Sequence, residues 1–173
     1  MVLTEPAKEA DGILRFWFED CHPWQWFRHN PHFDQNIRER FGDLCYSAQA
    51  GDLADWTQDA GSGLALVLLL DQFSRHVWRG ESRAFAGDAR AVLLSRDALQ
   101  RGWVQRETER ARRQFWLMPL LHSEDIDTVE RAIPLLEEWA DDDTARIARH
   151  HREVLLRNGH YPWRTSATRV ERR

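Results

Sequence analysis

Leu64 to Gly80 reads LALVLLLDQFSRHVWRG, and no other stretch of this 173-residue chain is as apolar or changes character so abruptly. Leu64 to Leu70 are all apolar, which covers a helix on every side and so describes a helix with neighbours all round. A buried strand is the competing reading of so short an apolar run. Ser62 and Gly63 offer a helix start, and Leu and Ala outnumber the single β-branched Val67, so the segment is read as a helix capped by Ser62. At about 100° per residue, Asp71, Gln72, Arg75 and Arg79 continue the face begun by Leu64 and Leu68, and a buried face runs into charge. Asp71 and Arg75 stand at i,i+4 with the acid first, the better order for an ion pair. Arg79 lies one turn further, with no acid of its own on this helix. Either the helix surfaces there, its arginines solvated at the negative end of the dipole, or Arg79 seeks an anion.

The length suits one domain, able to bury a core without metal or disulfide staples. A net charge of -4 and a pI near 6.1 provide no overall basic field, so no nucleic-acid partner is expected. Lys8 is the only lysine, a usage that reads as genome composition rather than chemistry. Cys21 and Cys45 lie in no CxxC pattern and fit reduced thiols. The start, MVLTEPAKEADG, has no basic region followed by an apolar one, and no run reaches membrane-spanning length. A cytoplasmic protein is therefore expected, away from membranes. The GSG at 61–63 follows no strand and precedes no GKS or GKT, so it is not a phosphate loop, and no cofactor is expected.

The remaining segments read as helices. Asp11 can cap a short helix from Ile13 to Glu19, ended by Pro23, and the aromatic WQWF at 24–27 pins a connector to the core. Asn30 and Pro31 open a helix to about Ala50, closed by Gly51. Further helices are expected over Glu81 to Gln100, with Phe85, Ala89, Val92, Leu93 and Leu99 inward, and over Glu107 to Leu121, with Pro119 kinking or ending it. Asp88, near the buried side, either caps locally or faces a spare arginine of the central helix. Ser123 is a candidate cap for Glu124 to Ala140, and a last helix, Asp143 to about Asn158, presents His150, Val154 and Arg157 on one side. Residues 1–159 thus form a single all-α domain of stacked antiparallel hairpins, and 160–173 an Arg-rich tail expected to fray.

Several segments together resemble a bacterial family known as domain of unknown function 924: ILRFWF, WFRHNPHFDQNIRERF, AQAGDLADW, LALVLLLDQFSRHVWRG, AFAGDARA, FWLMPLLHSEDI and the late His150 with RNGHYPWR. The resemblance spans nearly the whole chain and implies an all-α fold similar to tetratricopeptide-like superhelices. It implies no particular reaction. Its characteristic polar residues fall on Asp71, Gln72, Arg75, Arg79, Asp88, His122, Glu124, His150, Pro162 and Arg164. The chain departs from the family's G-R-F-P-H-R-N pattern at its end, where it has GHYPWRT at 159–165.

Three functional readings compete. In the first, Arg75, Arg79 and Arg164, with Asp71, Gln72 and Asp88, bind a small anionic ligand, and His122 or His150 moves a proton with Glu124 or Asp71 as partner. In the second, a helical superhelix binds a peptide or protein partner. In the third, the polar residues form a buried network that fixes helix packing. A metal site is disfavoured, because His122-x-Glu124 lacks the helical spacing of HExxH and the cysteines stand far away in sequence.

Overall fold

In the computed structural model, which describes residues 4–164, the secondary structure is helical and includes no strand among those residues. The helices are α1 (Glu5–Arg15), α2 (Pro31–Ala50), α3 (Ala60–Leu68), α4 (Ser74–Val77), α5 (Asp88–Gln100), α6 (Trp103–Arg106), α7 (Arg110–His122), α8 (Ile126–Trp139) and α9 (Asp142–Asn158). A π-helical turn, Leu69–Phe73, joins α3 to α4 and makes one central rod of them.

The rod has the neighbours its composition demands. α1, α2, α5 and α7 pack around it, and Leu66, Leu68, Leu69 and Leu70 have no exposed surface. Its cap is Asp59 rather than Ser62: the Asp59 carboxylate accepts the Ser62 N–H at 3.0 Å and the Ser62 hydroxyl at 2.9 Å. A charged acceptor three residues upstream outcompetes a hydroxyl that serves better as a donor.

Other boundaries shift for similar reasons. α1 begins after Thr4, well before Asp11, with Pro6 tolerated in its first turn. The segment 81–100 divides into a 3₁₀ turn, Ser82–Phe85, and α5, whose buried face is Ala91, Val92, Ser95 and Ala98, while Leu93 is 61% exposed. Reading that stretch as one continuous helix mis-phased Ala89 and Leu93. Asp125 caps α8 in place of Ser123, and Asp141 caps α9. Asn30 and Gly51 do close α2 as the sequence predicts: Asn30 accepts from His32 and Phe33, and Gly51 takes a φ of 85°.

Gly87 sets the approach of α5 to the rod. A Cβ at this position would lie 2.8 Å from the Leu70 carbonyl oxygen, closer than packed atoms tolerate, so only glycine lets the start of α5 reach the π-turn. A second, smaller apolar cluster, Val129, Leu155 and Tyr161, lies between α8, α9 and the residues after Gly159. Tyr161 is wholly buried there, so the chain keeps packing past residue 159. Residues 165–173 of the expected tail lie outside the described residues. Of the aromatic connector, Trp26 is buried and donates its indole N–H to the Trp17 carbonyl at 2.9 Å, while Trp24 and Phe27 are exposed.

Candidate functional site

Asp71 sits in the π-turn, where an i→i+5 bond from Ser74 N–H to Leu69 O widens the helix. Such turns recur at functional sites because they re-aim side chains out of helical phase. Side-chain donors supplement the loosened backbone: Ser74 Oγ donates to Leu70 O at 2.8 Å, and Arg75 Nη1 to Asp71 O at 2.5 Å. The Asp71 carboxylate has no exposed surface. Its Oδ1 meets His122 Nδ1 at 2.7 Å and its Oδ2 accepts from Gln72 Nε2 at 2.8 Å. Burial alone would raise the Asp71 carboxyl, but the charges of His122 and Arg75 and these hydrogen bonds hold it below the usual carboxylate range.

The expected Asp71–Arg75 pair is a long contact of 3.8 Å. The carboxylate that Arg75 binds is Asp88, by two bonds of 2.9 Å in a fork-to-fork arrangement. Asp88, half-read as a partner for a spare arginine, is placed there by Gly87. Its Oδ2 also takes a bond from Arg164 Nη2 at 2.6 Å.

Arg79 finds its anion on α2. Asp34 accepts from Arg79 Nε at 2.6 Å and Nη2 at 3.0 Å, and from His76 Nδ1 at 2.7 Å. Neither Asp34 nor His76 was singled out in the sequence, because Asp34 is 45 residues from Arg79 and looks like an ordinary first-turn acid. Burial opposes the Asp34 charge, yet its bonds to Arg79 and His76 keep its carboxyl lowered.

The segment after α9 is held by the end of α7. Helix ends leave carbonyls without partners, and here His151 Nδ1 donates to Leu121 O at 2.7 Å and Arg164 Nη2 to His122 O at 2.5 Å. The Tyr161 hydroxyl shares its proton between Leu121 O at 3.0 Å and Ser123 O at 2.7 Å. Glu124 grips the same segment, accepting the Tyr161 N–H at 3.1 Å with Arg164 Nε at 3.6 Å. It is a clamp on the backbone, outside the cavity lining.

These contacts enclose a cavity of about 290 Å³ bordered by Arg75, Arg79, Phe85, His122, His151 and Arg164, with Tyr161 and Trp163 at one end. Arg79 and Trp163, which both border the cavity, are exposed, so the cavity reaches solvent. Of the predicted residues, Arg75, Arg79, His122 and Arg164 border it, and Asp71, Gln72 and Asp88 support them from beneath. His150 does not take part. It lies exposed on the outer side of α9, and His151, the next residue, faces the cavity instead. A one-residue error in reading a helix face turns a side chain by about 100°, and two consecutive histidines conceal it.

The family described as "Bacterial protein of unknown function (DUF924)" matches residues 13–172. The chain belongs to this family. A solved structure of a protein of unknown function from Agrobacterium tumefaciens, ATU0120, is 34% identical and superposes with a TM-score of 0.87, covering 95% of this chain and 92% of that one. A search of curated proteins found no match. In this DUF924 chain no helix among the described residues is long and apolar enough to cross a membrane, and no three His, Cys, Asp or Glu side chains there are grouped to hold a metal ion.

Proposed function

We propose that the cavity binds a small ligand carrying a carboxylate or phosphate, and that His122 exchanges a proton with it. The observation that carries this reading is the 2.7 Å bond from a wholly buried Asp71 to Nδ1 of an imidazole that borders the cavity. An ionised carboxylate can only accept, so it holds a proton on Nδ1 and leaves Nε2 to take or give the second one. A positioned imidazole of this kind is the commonest general acid–base group.

The anion end of the reading rests on Arg75 and Arg164, whose guanidinium planes are fixed by Asp88 at the cavity wall. Asp88 and Asp34 match much of the arginine charge, so recognition depends on directed N–H groups rather than on a net positive field. Burial pushes the Cys21 and Cys45 thiols up to about 12, and the chemistry favoured is what a positioned imidazole performs, proton transfer to the ligand or activation of water.

Inorganic phosphate and acetate are expected to raise the melting temperature by mass action, because they bind only the folded chain. His122→Gln should keep that rise and abolish turnover, since it retains polarity but exchanges no proton near neutral pH. A wild-type melting temperature unmoved by every anion in a broad screen would overturn the reading. For Arg79 the structural alternative has its own observation, the double bond to Asp34, and this arginine is read as part of the packing network first.

A further inference from the structure

We propose that the end of the cavity formed by His151, Tyr161 and Trp163 is a subsite for a planar ring bearing a hydrogen-bond donor. The ligand is then an aromatic acid with a hydroxyl or N–H on its ring. The inference rests on the anion reading above and supplies the other end of the same ligand.

Trp163 is 43% exposed beside a cavity. Its ring stacks on Tyr161 with centroids 4.6 Å apart and planes 8° from parallel, and Tyr161 has no exposed surface. One face of the indole is thus covered, and no second ring among the described residues stacks on the other, where His151 meets the indole at a tilt of 47°. A ring fixed in this way accepts a second planar π-system with little entropy to lose, as aromatic platforms do for bases.

His151 supplies the polar half. Its ring lies 5.3 Å from Trp163 and 4.9 Å from Tyr161, centroid to centroid. Nδ1 donates to Leu121 O, which leaves the lone pair on Nε2, and no described residue hydrogen-bonds that atom. Burial pushes the imidazole down to about 4, against the help of the Leu121 carbonyl, so at neutral pH Nε2 accepts and does not donate. An acceptor at the cavity border without a partner among the described residues is open to a donor on the ligand.

Two further features set the scale. Trp163 and Arg164 are consecutive residues that both border the cavity, and the Arg75 and Arg164 guanidiniums lie 5.3 and 5.0 Å from the Phe85 centroid. The cavity of about 290 Å³ is at the small end for ligand sites. It suits a single ring with one acid group, not a dinucleotide.

The test is an affinity series on the full chain with 4-hydroxybenzoate, benzoate, cyclohexanecarboxylate, acetate and inorganic phosphate, read by calorimetry. Benzoate should bind about fivefold or more tightly than cyclohexanecarboxylate, which matches its charge and size without a π-face. 4-Hydroxybenzoate should gain about fivefold again through the His151 acceptor. Trp163→Leu should bring the first ratio to about one, and His151→Phe the second, with phosphate binding as the check that the cavity survives. Equal affinity for benzoate and cyclohexanecarboxylate, or ratios that persist in the variants, would overturn the aromatic subsite while phosphate binding keeps the anion reading. Failure of every acid and of phosphate to bind would remove both. The series on the wild-type chain decides even where a variant fails to fold.

Discussion

Two buried carboxylates in this chain make the same bond and face different surroundings. Asp34 and Asp71 each meet a histidine Nδ1 at 2.7 Å, and each has an arginine within reach. His76, the partner of Asp34, is 3% exposed and walled by Trp17 and Phe33. His122, the partner of Asp71, borders a cavity that opens to solvent. An Asp–His pair is therefore no sign of chemistry by itself; what separates a packing device from a proton-transfer group is whether the far nitrogen can be reached.

The two carboxylates should therefore fail differently. The largest effect is expected from Asp34→Ala, which strips both His76 and Arg79 of their acceptor. A loss of about 2–4 kcal/mol in chemical denaturation is expected, below the full cost of an orphaned buried charge because Arg79 reaches water. Asp71→Ala should cost less, about 1–3 kcal/mol, since Arg75 keeps its two bonds to Asp88 and mainly His122 and Gln72 lose a partner. Its signature would be functional instead: a disordered His122 and loss of any turnover with anion binding retained. Equal losses at the two positions, with binding abolished only by Asp34→Ala, would reverse the assignment.

Arg79→Lys sharpens the same contrast at smaller scale. Lys replaces a two-bond fork by a point charge, and with the side chain 37% exposed the cost should be about 1 kcal/mol. Phosphate binding should survive it. Abolished binding at unchanged stability would return Arg79 to the cavity machinery.

The smallest expected effect is a slope with pH. His151 and His76 both have folded values below the ordinary 6.5, His151 at about 4, each chiefly through burial. The unfolded chain then binds more protons as pH falls below 6.5, so stability is full above that point and declines toward about pH 4. The Asp34 and Asp71 contributions, lowered from 3.8, are lost only below that value. His151→Gln should flatten the decline between pH 6.5 and 4.5 in denaturation midpoints, and an unchanged slope would place the proton uptake elsewhere.

Much of this was legible in the sequence, for a definite reason. An apolar run that covers a helix all round must lie at the centre, and Asp71, Gln72 and Arg75 continue its face, so spacing placed them at the edge of the core and left open whether the helix surfaces there; the structure buries Asp71 and Gln72 and half-buries Arg75. Arg75 with Asp88 was half legible, because Asp88 falls near the buried side of the 81–100 segment, where an acid must cap locally or meet a spare arginine. Asp34 was not, since the network that holds it joins residues that local periodicity cannot connect. Neither was the choice of His151 over His150, which turns on helix phase alone. The docked Tyr161 and Trp163 were missed because an Arg-rich terminus resembles a solvated tail, and only the unpaired carbonyls at the end of α7 give it somewhere to bind.

The π-turn carries one consequence of its own. A ring closed from i to i+5 contains one residue more than an α-turn, so the alignment of Asp71 with His122 is written into the chain as a length rather than as a choice of side chain. Removing a single codon at Leu69 or Leu70 would let the rod run as an unbroken α-helix in which the residues past Phe73 keep their faces, because the wide turn is what absorbs the extra residue, while the positions inside the turn, Asp71 among them, would be re-aimed. The dyad would then be erased without either of its members being changed, and insertions and deletions become as direct a route to or from this site as substitutions.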